Sequence, residues 1–244
     1  MAINKNELSS SISKYFKENS LSAYLSKTAC DKFVALAEIM LEENEKYNLT
    51  AITEPDKIAL LHFADSVTVA KHLKDGASIV DVGCGAGFPT LPLAIVRPDL
   101  KITAIDSTQK RVTYVNETAA KLGLTNVKAI CVRAEDFGKT DGREKFDYAT
   151  ARAVAALPVL LELCLPLVRV GGEMLAMKGK NAEYELSASK KAISLLGGKF
   201  KSLEEIKLIG DGEDALHPIV KIAKATKTPA SYPRAYAQIS KKPL

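Results

Sequence analysis

The 244-residue chain is predicted to fold as an α/β protein, a doubly wound and mostly parallel sheet preceded by helices. Three observations carry this. From residue 77 onward, short apolar runs of strand length alternate with segments of helical period. The first of these runs, ASIVDVG (77–83), passes into a turn in which Gly83, Gly85 and Gly87 alternate with small residues. Before residue 75, by contrast, the apolar residues recur only at helical spacing.

In chain order, residues 6–28 and 30–46 are predicted helices, the second with Phe33, Leu36, Ile39, Met40 and Leu41 as its apolar stripe. The stretch 48–73 begins as a polar turn and becomes helical after Pro55, a residue suited to a first helical turn. Strands are then expected at 77–83, 101–106, 127–137, 146–155 and 171–179, with helices at 108–124, to about 169, and at 182–196. Two more strands, 200–209 and 217–224, read as an antiparallel hairpin at one sheet edge. The loop 136–145 (DFGKTDGREK) reads as flexible, and the Pro-, Ser- and Lys-rich tail from Thr226 as lacking regular structure. This divides the chain into a helical section (1–75), a sheet domain (76–226) and a basic tail (227–244).

Composition narrows the function classes. Residues 1–30 are too polar for a signal peptide, and no apolar run reaches the length of a membrane span. Cys30, Cys84, Cys131 and Cys164 are dispersed with no CxxC spacing, so neither zinc nor a disulfide framework is expected and a cytoplasmic setting fits best. Charge is uneven. Residues 178–244 carry 13 Lys and Arg against 7 Asp and Glu, whereas residues 1–177 carry 21 against 22. A basic last quarter suits a polyanion such as nucleic acid, although a solvated lysine-rich surface has the same composition.

In a doubly wound sheet, ligands bind beyond the carboxyl ends of the strands, which directs attention to the first glycine turn. A dinucleotide fingerprint requires GxGxxG so that pyrophosphate rests on a helix N-terminus. Here the spacing is GxGxG, from Gly83 through Gly85 and Gly87, followed by Phe88 and Pro89. That disfavours NAD and suits an adenosine cofactor without pyrophosphate, such as S-adenosyl-L-methionine; a turn that merely packs tightly is the bland alternative. Asp106 ends the second strand, where a carboxylate accepts hydrogen bonds from ribose hydroxyls or caps the next helix. After the third strand comes RAEDF (133–137), whose Ala134–Glu135 backbone is placed to meet adenine. Lys178 and Lys180, closing the fifth strand, are candidates for contact with RNA phosphate. Among the histidines, His62 either faces the cleft or packs, and His72 and His217 carry no motif.

These motifs, with NLTAIT (48–53), HFADS (62–66), DVGCGAGFPTLPLAI (81–95), DSTQKR (106–111), FDYATARAVA (146–155), GGEMLAMKG (171–179) and YPR (232–234), resemble one family. It is the bacterial small-subunit rRNA guanine nitrogen-7 methyltransferases, also called glucose-inhibited division protein B. The resemblance spans roughly residues 35–244. It implies a Rossmann-like S-adenosylmethionine-dependent methyltransferase fold with a mostly parallel seven-stranded sheet and an antiparallel edge. It also implies transfer of a methyl group to 16S rRNA, free or in the small ribosomal subunit, at guanine 527. Carried over by position, the cofactor contacts are Gly83, Phe88, Ala134, Glu135 and Arg152, joined by Gly85 and Asp106 from the reading above; Arg234 in the YPR stretch joins Lys178 and Lys180 as an RNA contact. No metal, no membrane and a monomer are expected.

The chain departs from the family pattern at Cys84 and Ala151, where small hydroxyl residues are usual, and at Thr90, where glycine is common. Its tail carries Ala237 and Ile239 in place of a Gly- and Pro-containing basic motif. Guanine nitrogen-7 has an exposed lone pair and no proton to lose, so no catalytic acid or base is assigned. The absence of a [DN]PP[YF] tetrad and of a PC motif agrees with that chemistry. A nicotinamide-dependent dehydrogenase and a noncatalytic adenosine-binding ribosome assembly factor remain the alternative readings.

Overall fold

The computed structural model describes residues 3–212 and 216–244. Its centre is a seven-stranded sheet: β1 (Ser78–Val82), β2 (Lys101–Asp106), β3 (Val127–Cys131), β4 (Phe146–Arg152), β5 (Val168–Met177), β6 (Gly198–Glu204) and β7 (Ile219–Lys224). The order is β3-β2-β1-β4-β5-β7-β6. The first five strands run parallel, while β7 pairs antiparallel with both β5 and β6. Strand order reverses beside β1, which is where a doubly wound sheet opens a crevice at its carboxyl edge.

Period-two alternation sends successive side chains to opposite faces. Ile79, Ile102, Ala104, Tyr148 and Leu175 join one core with the helices α1 (Lys5–Glu18), α2 (Lys27–Tyr47), α5 (Thr90–Val96) and α6 (Gln109–Lys121). Phe16, Phe33 and Phe63 run through that core as tilted neighbours with ring centroids 5.4 and 4.8 Å apart. Val80, Ile105, Ala149, Met174 and Val220 face the other way, onto α8 (Leu157–Cys164) and α10 (Lys190–Leu195). The expected helix 182–196 is interrupted at Ser189, with α9 (Ala182–Ala188) before it.

Four more expectations are corrected or refined. The first predicted helix ends at Glu18, because Asn19 caps it and Ser20 turns to φ 59°; α2 restarts at Lys27 with Ser26 accepting from the Ala29 N–H. After Pro55 the chain is helical as expected, though not as one regular α-helix: it forms α3 (Pro55–Lys57), a π-helical stretch Ile58–Ala64 and α4 (Asp65–Val67). The third strand stops at Cys131, and Ala134–Phe137 is a short helix, α7, with Glu135 and Asp136 in its first turn, where carboxylates suit the positive end of a helix. The fourth correction joins the 136–145 loop to the tail. Arg143 donates to the carbonyls of Tyr232 (2.9 Å) and Thr228 (2.7 Å), and Glu144 accepts from the Thr228 N–H (2.8 Å). The tail ends in a helix, α11 (Tyr236–Lys241), whose Ile239 is fully buried. Internal hydrogen bonds thus order both segments.

Candidate active site

A cavity of about 310 Å³ opens at the carboxyl ends of β1–β4. Val82 and Gly83 form its floor from β1, Ile105, Asp106 and Ser107 from β2, and Val132, Arg133, Ala134 and Glu135 follow β3. Ala153 and Val154 follow β4; Arg111, Leu163 and Tyr236 complete the lining.

The glycine turn makes this approach possible. Gly83 sits at φ 73°, and a Cβ there would lie 2.7 Å from a methyl of Val154. Its N–H donates to the Ile105 carbonyl at 2.8 Å, tying the turn to β2. Asp106 organises the far side of the turn. Its carboxylate accepts from the Gly85 N–H (3.1 Å), the Thr108 N–H (2.9 Å) and Arg111 Nη1 (3.5 Å). Two carboxylate oxygens offer about four lone-pair sites, so acceptor capacity remains for hydroxyls in the cavity.

The residues present fit S-adenosylmethionine. A backbone that only glycine adopts easily lies at one end, a carboxylate suited to ribose stands in the middle, and Val132, Ala134 and Leu163 offer apolar surface at the other. Glu135, buried at the start of α7, lines the same end.

Of the residues assigned from sequence, Gly83, Asp106, Ala134 and Glu135 come together in this cavity. Gly85 supports it through Asp106. Phe88 and Arg152 belong to an adjoining cluster instead. The Phe88 ring stacks on His62 (centroids 4.4 Å apart, planes 9° apart), and the Arg152 guanidinium lies 5.3 Å from the Phe88 centroid. Arg152 Nη1 donates to the Leu61 carbonyl (2.9 Å), within the π-helical stretch, and to Asp65 (2.7 Å).

That cluster is where sequence reading missed most. His217, which carried no motif, bridges Asp65 (3.1 Å) and Asp211 (2.7 Å). The hydrogen bond to Asp65 raises its pKa to about 9, against the effect of burial. Burial works to raise the pKa of Asp65, but the His217 hydrogen bond and the Arg152 charge outweigh it and hold the carboxylate below its ordinary value. Burial, aided by the Arg152 charge, lowers His62 to about 4, and its Nε2 meets Thr50 Oγ1 at 2.9 Å. The HFADS and NLTAIT stretches contain His62, Asp65 and Thr50, of which only His62 was singled out; nothing local signalled His217, which arrives from the β7 side of the fold.

Two RNA assignments need correction in their geometry. Lys178 Nζ donates to the Ala155 carbonyl and pairs with Glu185, both at 2.8 Å, and its side chain is only 10 % exposed. Arg234 grips Glu162, a fully buried carboxylate, at 2.6 Å. Both charges are neutralised internally and brace the loop after β4 and the tail. Lys180 stands exposed.

The departures from the family pattern also find physical places. Thr90 donates to the fully buried Asp81 (2.6 Å), which also accepts from Thr150 (3.1 Å); burial raises Asp81 to about 6, and the trio ties β1, β4 and α5 together. Burial drives the Cys84 thiol far above its ordinary pKa, so it is an inert packing group. Among the described residues, no group of three or more His, Cys, Asp or Glu could hold a metal, and no helix is long and apolar enough to cross a membrane.

Known structures place the architecture. A SAM-dependent methyltransferase from Aquifex aeolicus matches with a TM-score of 0.53 and 21% identity, over 69% of this chain and 93% of that one. TYW2 of M. jannaschii, solved in complex with AdoMet, matches with a TM-score of 0.53 and 19% identity, over 66% and 75%. Sheet order and cavity together define a protein of the Rossmann-like, S-adenosylmethionine-dependent methyltransferase class. Within that class, residues 29–209 match the family described as rRNA small subunit methyltransferase G (GidB), and the chain belongs to that family. Ribosomal RNA small subunit methyltransferase G of Clostridium perfringens strain 13 is 45% identical over 235 residues, 90% of this chain and 98% of its own. The protein of that name from Geobacillus sp. WCH70 is 46% identical, over 90% and 93%.

Proposed function

We infer that the protein transfers the methyl group of S-adenosylmethionine to nitrogen-7 of a guanine in 16S rRNA, with guanine 527 as the target. The observation that carries this reading is the cavity where Gly83, Asp106 and residues 132–135 converge, in a chain that belongs to the rRNA small subunit methyltransferase G family. The bound cofactor supplies a sulfonium-activated methyl group. The protein positions the two reactants. Gly83 gives close backbone approach, Asp106 receives the ribose, and Ala153 and Val154 at the end of β4 border the side on which the acceptor arrives. Because nitrogen-7 loses no proton on attack, positioning and electrostatics suffice, and no side chain is assigned as acid or base.

In this reading the partner is 16S rRNA or the small ribosomal subunit, the chain acts as a monomer in the cytoplasm, and Lys180 is the assigned phosphate contact from the fifth-strand end. Mapping 7-methylguanine on 16S rRNA from cells with and without the gene tests it. The expected result is loss of one methyl group at guanine 527 in the deletion strain, restored by the purified protein with S-adenosylmethionine. Persistence of that mark, with no transfer by the purified protein, would sink the reading in favour of a noncatalytic assembly factor.

A further inference from the structure

We propose that Tyr236, on the C-terminal helix α11, forms the outer wall of the adenine end of the cofactor cavity and sets affinity for the nucleoside. The inference rests on the reading of that cavity as an S-adenosylmethionine site and adds a residue that the sequence motifs did not assign.

Along the carboxyl edge of the sheet the order β3-β2-β1-β4 fixes a direction across the cavity. Gly83 and Val154 mark the β1–β4 end, and Asp106 on β2 lies between. The end beyond the ribose-binding carboxylate is therefore the β3 end, and a nucleobase attached to that ribose falls there. Tyr236 lines the cavity, and the guanidinium of Arg133, the residue that opens the β3-to-α7 turn, lies 5.7 Å from its ring centroid. An aromatic ring and a guanidinium together offer planar, polarisable surface on which a base stacks with little regard to its hydrogen-bonding edge.

The ring is held in place yet open to a ligand. Tyr236 is 41 % exposed, although the helix that bears it is anchored on both sides. Before it, Arg234 is bound to the buried Glu162. After it, Ile239 is fully buried in the core under α8. A large aromatic side chain left half open at the rim of a cavity, on an ordered segment, is surface a ligand can cover. Ala237 and Ile239 lie within that helix, and neither interrupts it.

Calorimetric titration of the full-length protein with S-adenosylhomocysteine tests this, using wild type, Tyr236→Ala and Tyr236→Phe, with melting temperatures as the folding control. The expected result is a Kd about five- to a hundredfold weaker for Tyr236→Ala, the range for loss of one base–aromatic stack, and within about twofold of wild type for Tyr236→Phe. Steady-state kinetics should show KM for S-adenosylmethionine rising in Tyr236→Ala while KM for the RNA substrate stays fixed. An unchanged Kd in a folded Tyr236→Ala overturns the proposal, as does a change confined to KM for RNA. If Tyr236→Ala does not fold, Tyr236→Leu, which keeps the bulk but not the π face, takes its place with the same expected weakening. Failure of the wild type itself to bind S-adenosylhomocysteine would instead strike the underlying cofactor reading.

Discussion

Asp106 carries more of the site than any other side chain, since it holds two backbone N–H groups of the surrounding turns and faces the cavity as well. Asp106→Asn exchanges one acceptor oxygen for a donor against those N–H groups, and hydrogen bonds to charged groups contribute about 1.5–3 kcal/mol. The expected outcome is roughly ten- to hundredfold weaker binding of S-adenosylhomocysteine, read by titration. His217 makes a separate prediction through pH. Its folded pKa, about 9, lies above the ordinary value of 6.5, so the folded state binds the proton more tightly than the unfolded chain does. The stability it contributes is fully present below about pH 6.5 and is lost as pH rises through 9. The melting temperature of wild type should exceed that of His217→Gln most at low pH within the folded range, the gap closing above pH 9. A constant gap across that range would mean that His217 does not hold its proton this way.

At the scale of elements, the tail is the instructive case. Its composition reads as disordered, yet Arg234 and Ile239 fasten it to α8. Truncating Arg234 leaves the fully buried Glu162 without its partner, and breaking a buried pair costs about 3–5 kcal/mol. Arg234→Ala should therefore lower stability by about that much in urea unfolding, whereas a surface phosphate contact would show no such loss. Strands such as β1 and β2 were legible because they are short, mostly apolar and mostly buried stretches, as strands covered on both faces of a parallel sheet tend to be. The end of β3 was not: RAEDF continues the chain without a breaker, and the short helix that follows it packs Phe137 against Phe146 (centroids 6.1 Å apart), a contact that no local pattern announces.

Across the whole molecule, charge is sorted by which lysines and arginines the fold has already paired. Lys180→Ala should reduce the slope of log K against log salt for RNA binding by about 0.7–0.9, one phosphate's worth of released counterions. Lys178→Ala should leave that slope unchanged, since its charge is neutralised by Glu185, and should instead loosen the loop after β4. Equal effects of the two substitutions on the slope would contradict that sorting.

Legible in the chain alone were the α/β class, the seven strands with their antiparallel edge, the glycine turn and its spacing, Asp106 at a strand end, and the resemblance to the family with its methyl donor. The first of these are written in local order, as a period, a spacing or a strand end; the family rests on the resemblance of the motifs taken together. Which groups meet was settled by the folded chain. It brought His217 to Asp65 across 152 positions of chain, turned Lys178 and Arg234 inward, and set Tyr236 at the mouth of the cavity. Ion pairs and cavity walls form between residues that no local pattern relates, and where a side chain finds its partner depends on how the sheet and its helices close around it.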